Sequence, residues 1–594
     1  MLYKSNFDSH GLLSDPNNIS FTFNIDGAPV FKSSKVSVWP IFLVINELPY
    51  KQRMKKENMI LASLWFGSQK PSMGTFLKPL QKTMKELYQG IECQSPEKGS
   101  FICKGILLCG TADLPARSLL CNHMQYNGAY SCWKCEQQGI SASVGKGQAR
   151  VFPFDIRTPK GPERTVNSVT ENARTAVQNQ NAGNTSTYAV KGIKGPSWLL
   201  FFPGFNIVTG IAIDYMHGVL LGVQKLLLEL WFLPKHNKKP FNIYHKLCEV
   251  DKRLLNIHPT LDITRLARSI QDLKYWKASE YRSFLLFFGA PVLHGVLDHE
   301  RFSHYLLLVN AMHILLKFGS NENDIKRAEH MLLDFCKHFE TMYDTCFMRL
   351  NVHQLLHLPD SVRNLGPLYT HSCFSFEDKN GVLLRMIRGT QNIDNQIVTG
   401  VSFVQKLPEL KQKCIKKGSF CEKLYNSIES PGQLKRGDLV DNGIYILGGV
   451  KERALTEEEN KALYSFLGFE PVSPKFRSFS RAEINDNVIY GLAYSRMVKR
   501  NNSTVEYNSR QGGSLGQVRF FIIITENGEQ QTLAFIEKLK CLNYGEQLSL
   551  LAVMKTKDLQ VVPIQNLISS CMLIEYPGAK SLYVCRFPNK LESD

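Results

Sequence analysis

The stretch ISFTFNIDGAPVFKSSKVSVWPIFLVINELP runs from Ile19 to Pro49. Phe21, Phe23 and Ile25 alternate with Thr22 and Asn24, the period-two pattern of a strand. The run then ends on Asp26, with Gly27 next. Asp is a poor strand former and is costly to bury without a partner. A second apolar run, Val36 to Leu48, follows after a short turn. The pair reads as a hairpin with a carboxylate at the tip of its first strand. Taken alone, Asp26-Gly27 simply opens a turn. Whether the carboxylate does more is decided by the rest of the chain.

The chain has 594 residues, enough for about three or four domains. Its hydrophobic content of 43% and charged content of 21% are those of a globular protein. The formal charge of +18 suits a polyanionic partner, nucleic acid above all. The positive charge is spread along the chain, with local clusters at Lys51 to Lys56 and Arg496 to Arg500. The 15 cysteines form no regular framework, and Met1 to Ser20 is too polar for a signal peptide. Reduced thiols, and hence cytosol or nucleus, are expected. The longest uncharged run, Gly195 to Ile213, is broken by Pro196, Pro203, Gly204, Asn206 and Gly210. It reads as buried chain and not as a membrane span.

Residues 19–120 read as strand, strand, helix, helix, strand. Glu57 to Phe66 and Thr75 to Tyr88 have helical spacing. Phe101 to Cys109 is a strongly apolar strand ending in Gly110, Thr111, Ala112 and Asp113, and Leu114 to Leu120 opens a helix. Mixed order of this kind makes an α/β layer fold. Residues 136–195 are polar and Gly-, Asn-, Gln- and Thr-rich, a long surface excursion with one helix near Arg164 to Gln178. From Asp214 to about Leu358 strand signals vanish, and apolar spacings of three and four predict four to six helices. Residues 370–428 look helical again. After Pro431 short β runs take over, with a tight hairpin at Glu526 to Gly528. This is a separate small β domain, barrel-like.

Asp26 and Asp113 each stand just past the end of an apolar strand, where ligands gather in open α/β sheets. Two carboxylates on neighbouring strand tips repel unless a cation lies between them. Hard divalent ions such as Mg²⁺ take oxygen ligands, so a third acid is wanted. HSCFSFEDKNGVLLRMIRGT offers Glu377, with Val382, Leu383 and Met386 at helical spacing behind it. Glu377 and Asp378 are equally read as acids favoured by a helix N-terminus.

Six blocks carry a resemblance: NIDGAPVFKSSKVSVWPIFLVINELP, ILASLWFGSQKPSMGTFLKPL, CGTADLPARSLLCNHMQYNGAYSCWKC, AIDYMHGVLLGVQKLL, NVHQLLHLPDSVRNLGPLYTHSCFSFEDKNG and RGTQNIDNQI. In this order, over about residues 19–400, the chain resembles the tnp2-type transposases of CACTA (En/Spm) DNA transposons, of the DDE superfamily. The resemblance implies an α/β RNase H-like catalytic core interrupted by an all-α insertion. By motif position Asp26 in DGAP is the first acid of a D-D-E triad, Asp113 in TADLPAR the second and Glu377 in FSFE the third. The long interval between Asp113 and Glu377 holds the helical block read above. The C-terminal β domain lies outside the resemblance. The expected segments are thus 1–135, the first part of the core; 136–195, the excursion; 196–360, the insertion; 361–428, the rest of the core; and 429–594, the β domain.

Asp214 and His217 stand at i and i+3, one face of a helix. The resemblance implies an Asp-x-x-His element in or beside the active site; alone the pair is a local side-chain hydrogen bond. CNHMQYNGAYSCWKC brings Cys121, His123, Cys132 and Cys135 within fifteen residues. Cys132 and Cys135 make a C-x₂-C half-site for zinc, completed by Cys121 and His123 or by a distant partner. Two buried thiols at a chance spacing are the plain alternative. His353 and His357, at i and i+4, lack the Glu a metalloprotease needs, since Gln354 stands there; they read as packing or DNA-proximal. Arg117, Arg385 and Arg388 lie near the candidate acids in sequence and are candidate phosphate contacts.

The expected activity is DNA strand cleavage and strand transfer, with Mg²⁺ or Mn²⁺ at the triad and one structural Zn²⁺. DNA is the expected partner, the chain a homo-oligomer in the nucleus, and no membrane is involved. The alternative is a transposase-derived protein that binds DNA or chromatin without cutting. It is motivated by the short polar stretch before the first core strand, in which no zinc-finger or helix-turn-helix unit is legible. Recognition is then supplied by the β domain, a partner, or sequence missing from a truncated chain.

Overall fold

The computed structural model describes residues 11–31, 35–145, 147–183, 188–429, 439–441, 443–469, 475–492, 494, 499–510, 512–526, 529–542, 550–576 and 582–592. It contains two compact units, Met1–Asn242 with Ser303–Ile415, and Ile243–Phe302 with Lys416–Asp594. These cut across the five sequence segments, because Ile243–Phe302, inside the expected insertion, belongs to the unit that holds the C-terminal strands.

The first unit is organised by a sheet of β1 (Ile19–Ile25), β2 (Ser37–Ile45), β3 (Ile60–Gly67) and β4 (Gly105–Thr111), with the two-residue strand Ala28–Pro29 on β2. The order is β3–β2–β1–β4. β1 runs antiparallel to β2, with Phe23 opposite Leu43, and parallel to β4, with Asn24 opposite Thr111. Beyond β4, Ile211 bridges Gly110 in parallel. Phe21, Phe23 and Ile25 face a core shared with Phe76, Leu77, Leu80 and Met84 of helix α1 (Met73–Gln89). On the other side Val38, Phe42 and Val44 of β2 pack with Phe376, Leu383, Ile393 and Ile397. β1 therefore has no solvent face. Its second face is polar yet buried: Ser20, Thr22 and Asn24. Each of these finds a partner, Glu47 for Ser20, Asn46 for Thr22 and the Thr111 carbonyl for Asn24.

One element corrects the sequence reading. Ile60–Gly67 is a strand and not part of a helix, paired along β2 from Leu43 to Ser37. Its helical spacing is overridden by an open sheet edge that supplies a ladder of backbone partners. The apolar strand expected at Phe101–Cys109 is two strands, Gly99–Cys103 and β4, interrupted at Lys104. No strand lies between residues 214 and 358 among the described residues; this span holds helices and two π-helical segments, Met216–Gln224 and Phe284–Phe288.

In the second unit a nine-stranded antiparallel sheet is built round three long strands, Gly512–Glu526, Glu529–Cys541 and Leu550–Pro563. Among the described residues Thr504–Ser509 pairs with both Gly512–Glu526 and Leu567–Ser570, and the latter runs on through Cys571 to Met572–Ile574, which pairs with Leu582–Cys585. The unit is not all-β: the helix Glu457–Leu467 buries Leu463 among Phe476, Phe520 and Phe535. The tip of the hairpin expected at Glu526–Gly528 lies outside the described residues, as does Arg496. Arg500 is committed internally, donating to the Thr260 and Thr264 carbonyls at 2.8 Å each. Among the described residues no helix is long and apolar enough to cross a membrane.

Gly110 carries the tightest steric demand in the sheet. A Cβ there would stand 2.3 and 2.6 Å from the Phe23 ring and 3.0 Å from Ile211 Cδ1. Gly110→Ala should lower unfolding stability by about 1–3 kcal/mol, the scale of core overpacking. Thermal unfolding checks this, and an unchanged transition rejects it.

Candidate active site

Asp26 follows β1 directly, and Asp113 follows β4 as the N-cap of helix α2 (Leu114–Leu120), accepting from Ala116 N–H at 2.7 Å. β1 and β4 are parallel neighbours, so both carboxylates leave the sheet at the same edge. Glu377 arrives from helix α3 (Phe374–Arg385). The start of α3 is pinned to the strand ends through Cys373. Its Sγ lies 3.3 Å from Thr111 Oγ1 and receives Asn24 Nδ2 at 3.6 Å. Asn380, one turn on, donates from Nδ2 to Asp26 Oδ2 at 3.5 Å. The three acids of the sequence reading stand at one sheet edge, near enough for the charges of Asp113 and Glu377 to act on Asp26, though their oxygens do not all lie within 4.8 Å of one another.

Electrostatics bears the marks of that meeting. Burial, then the Asp113 charge, and more weakly Glu377, push the Asp26 carboxyl from 3.8 up to about 7; the Gly27 N–H and His217 oppose this. Asp26 also receives the Gly27 N–H at 2.7 Å, so the glycine turns the chain away while its amide faces the carboxylate.

Asp214 and His217 belong to the same cluster. Asp214 lies just past the Ile211 bridge, at the entry to the π-helical segment, and is buried. Its Oδ2 accepts from His217 N at 3.0 Å and contacts His217 Nδ1 at 2.7 Å, and its Oδ1 accepts from Cys373 N at 2.9 Å. Burial alone would raise the Asp214 carboxyl, but these hydrogen bonds and the imidazole hold it below its usual range. Burial alone would likewise depress His217. Hydrogen bonds to Asp214, Cys373 and Glu377, with the Asp214 charge, outweigh burial and keep the imidazole protonated, well above its usual range. His217 Nε2 stands 3.2 Å from Glu377 Oε1, so the ring spans the buried acid and the exposed one.

A second cluster lies elsewhere in this unit. Ligand atoms of Cys132, Cys135, His353 and His357, all buried, lie within 4.8 Å of one another. Cys135 Sγ is 3.2 Å from His353 Nε2, and the two histidine Nε2 atoms are 3.2 Å apart. The hydrogen bond to Cys132, then burial, push the Cys135 thiol up, and burial pushes Cys132 up as well. At Cys132 this is more than offset by the hydrogen bond from Cys135 and by the His357 and His353 imidazoles, which draw it down. The i, i+4 spacing turns both rings to one side, and Phe152 stacks on His353 at 5.3 Å. Two thiols and two imidazoles form a donor set that fits a tetrahedral Zn²⁺.

Cys121 and His123 do not join this cluster. His123 sets its ring edge-on to Trp133 at 5.3 Å, with Nε2 buried and without a partner, and burial depresses its imidazole strongly. Burial likewise pushes the Cys121 thiol up to about 12. The chain folds between the two halves of CNHMQYNGAYSCWKC, carrying His123 to the Val190–Ile193 turn. Arg117 also departs from expectation. At 6% exposure its guanidinium lies inside, against the Gln354 side-chain amide, which accepts from both guanidinium NH₂ groups once its oxygen is turned towards them, and DNA cannot reach it. Arg385 and Arg388 are exposed at the C-terminal end of α3 and just beyond it.

Asn24, Thr111, Cys373 and Asn380 complete the acid cluster and carried no signal of their own in the sequence. His353 and His357 did carry one, their i, i+4 spacing, which gains meaning only beside a C-x₂-C.

Comparison with known proteins adds a match over part of the chain. Residues 4–155 match the model of the transposase family tnp2, a segment that carries Asp26, Asp113, Cys132 and Cys135. Asp214, His217 and Glu377 lie beyond the match. A search of curated proteins gave no match to the chain.

The raised Asp26 carboxyl has a consequence for stability. The folded chain holds this proton to a higher pH than the unfolded chain does. The associated stabilisation is full below about 3.8 and is lost as pH rises towards 7. Without divalent ions, Asp26→Asn should therefore be more stable than wild type at pH 8, by about 2–4 kcal/mol. That advantage should vanish at pH 4. Denaturant unfolding at the two pH values checks it; the same difference at both rejects it.

Proposed function

We propose that this chain is a transposase-like enzyme that cleaves and transfers DNA strands, with Asp26, Asp113 and Glu377 as its acid triad on an RNase H-like core. The observation that carries the reading is the crowding of three carboxylates at one sheet edge, with Asp113 and Glu377 both opposing ionisation of Asp26. Repulsion of that kind among carboxylate oxygens fits hard divalent cations. The strand order β3–β2–β1–β4 with its parallel last pair, and the tnp2 match over residues 4–155, support it further. Mg²⁺ or Mn²⁺ held by the three acids would activate the attacking oxygen and stabilise the leaving one. Attack by water nicks a strand, and attack by a 3′-hydroxyl joins it to another.

In this reading the chain's own residues do the positioning. Asp214 keeps His217 protonated, and His217 holds Glu377 towards the strand ends. Asn380 orients Asp26. Arg385 and Arg388 are free to meet phosphates on the approach. The positive charge of the chain and its reduced cysteines suit DNA as partner and the nucleus as location, and a homo-oligomer follows from the family resemblance.

Asp113→Asn and Glu377→Gln should each lower Mg²⁺-dependent nicking of DNA by about three orders of magnitude, on the scale of removing an electrostatic catalytic contact. DNA binding should persist in both. Undiminished nicking in the variants rejects the triad; DNA binding by the wild type without nicking under any divalent ion favours the non-cutting alternative.

The reading includes a structural Zn²⁺ on Cys132, Cys135, His353 and His357. Purified protein should contain about one zinc per chain by elemental analysis. Cys132→Ser and His357→Ala should lose it, while Cys121→Ala and His123→Ala retain it. Zinc loss from the latter pair alone rejects this ligand set.

A further inference from the structure

The exposed face of α1 is not required by any chemistry above. Its buried side is spent on Phe76, Leu77, Leu80 and Met84. On the other side Lys78, Gln81, Lys85 and Tyr88 follow at spacings of three and four, one continuous stripe along the helix, and Lys82 lies beside them. Lys78, Lys82 and Lys85 are exposed and form no ion pair among the described residues. Lys78, Lys82 and Lys85 outnumber Glu86, the one acid of this helix, which stands at i+4 from Lys82, so the face is net positive.

Aromatic groups border the stripe. Gln81 Nε2 donates to the Phe201 carbonyl at 3.0 Å, which sets the turn Trp198–Phe201 along this flank of the helix. Near the N-terminal end of α1 the Trp198 ring closes over Gly74, where a Cβ would lie 2.7 Å from its Nε1. Phe201 is 55% exposed and Tyr88 is 41% exposed. A row of unpaired lysines flanked by open aromatic faces is the arrangement that tracks a phosphate backbone while bases stack beside it.

We propose that this face of α1 binds a single-stranded DNA segment, Lys78, Lys82 and Lys85 following its phosphates and Phe201 and Tyr88 receiving its bases. The proposal rests on the reading of DNA as the partner. It adds a contact surface separate from the acid cluster and commits to a single strand, because a duplex keeps its bases from the rings.

The test is anisotropy of a labelled 20-nucleotide single strand, and of its duplex, titrated with full-length protein across a range of salt. Lys78→Gln, Lys82→Gln and Lys85→Gln combined should flatten the single-strand slope of log K against log salt by about 2. Phe201→Ala should weaken single-strand binding by about 5- to 100-fold and leave duplex binding unchanged. All these positions are exposed, and an unchanged thermal transition certifies the fold of each variant. Wild-type binding with the same slope in the triple variant overturns this surface alone. Equal losses for single strand and duplex, or no effect of Phe201→Ala, overturn the single-strand assignment. Failure of the wild type to bind any DNA overturns the partner reading as well.

Discussion

The acid cluster depends on one buried carboxylate that is not among its three acids. Asp214 accepts from the backbone of Cys373, across 159 positions of chain, and from both the backbone and the ring of His217. A buried carboxylate with no partners would take up a proton or disrupt the fold. Here the hydrogen bonds more than compensate burial, so Asp214 stays ionised and the imidazole beside it stays charged. That charge faces Glu377. One residue thus fixes where α3 begins and where the third acid points. It can do so because the Ile211–Gly110 bridge ties the segment just before it to β4.

The sheet was prepared for this on its polar side. Ser20, Thr22 and Asn24 are buried, although their strand alternates as though one face were solvated. Each has a specific partner, and Asn24 touches both Thr111 and Cys373. A fully apolar face would pack α3 well but would not fix its register against the strand tips. Hydrogen bonds with one acceptable geometry do fix it, in the manner of polar contacts that select one arrangement among several well-packed ones.

Much of this was legible in the residues. β1 was written by alternation, β2 by a continuous apolar run, α1 by its spacing, and the two strand-end acids by the abrupt stop of apolar runs at Asp26 and Asp113. Glu377 needed the family resemblance, because an acid near the start of a helix is explained well enough by the helix itself. Ile60–Gly67 misled because a short apolar run satisfies either period, and only a neighbouring edge decides between them. The Cys121–His123 half-site misled for a related reason. Spacing along the chain reports proximity only where the chain is a regular turn, and here it folds away between the two halves. His353 and His357 sat in plain view, but a contact spanning 218 positions has no local signature.

Two long-range knots therefore fasten the returning chain within the first unit, the Cys132–Cys135–His353–His357 cluster and the Asp214–His217–Cys373 joint. Loop-closure entropy explains why so long an interval between the second and third acids is tolerable. The cost of bringing two points together grows only with the logarithm of the chain between them, about 0.6 kcal/mol for each doubling. Lengthening the interval is thus cheap so long as its ends are fastened. Fastening is the harder demand, because each end must be set to within hydrogen-bond geometry for Glu377 to meet Asp26. The thiol–imidazole cluster secures the returning chain at His353 and His357, and some twenty residues later Asp214 sets its direction at Cys373. Rotation left free by the first knot is removed by the second, which is why the joint at Asp214 governs whether three acids far apart in sequence share one edge of a sheet.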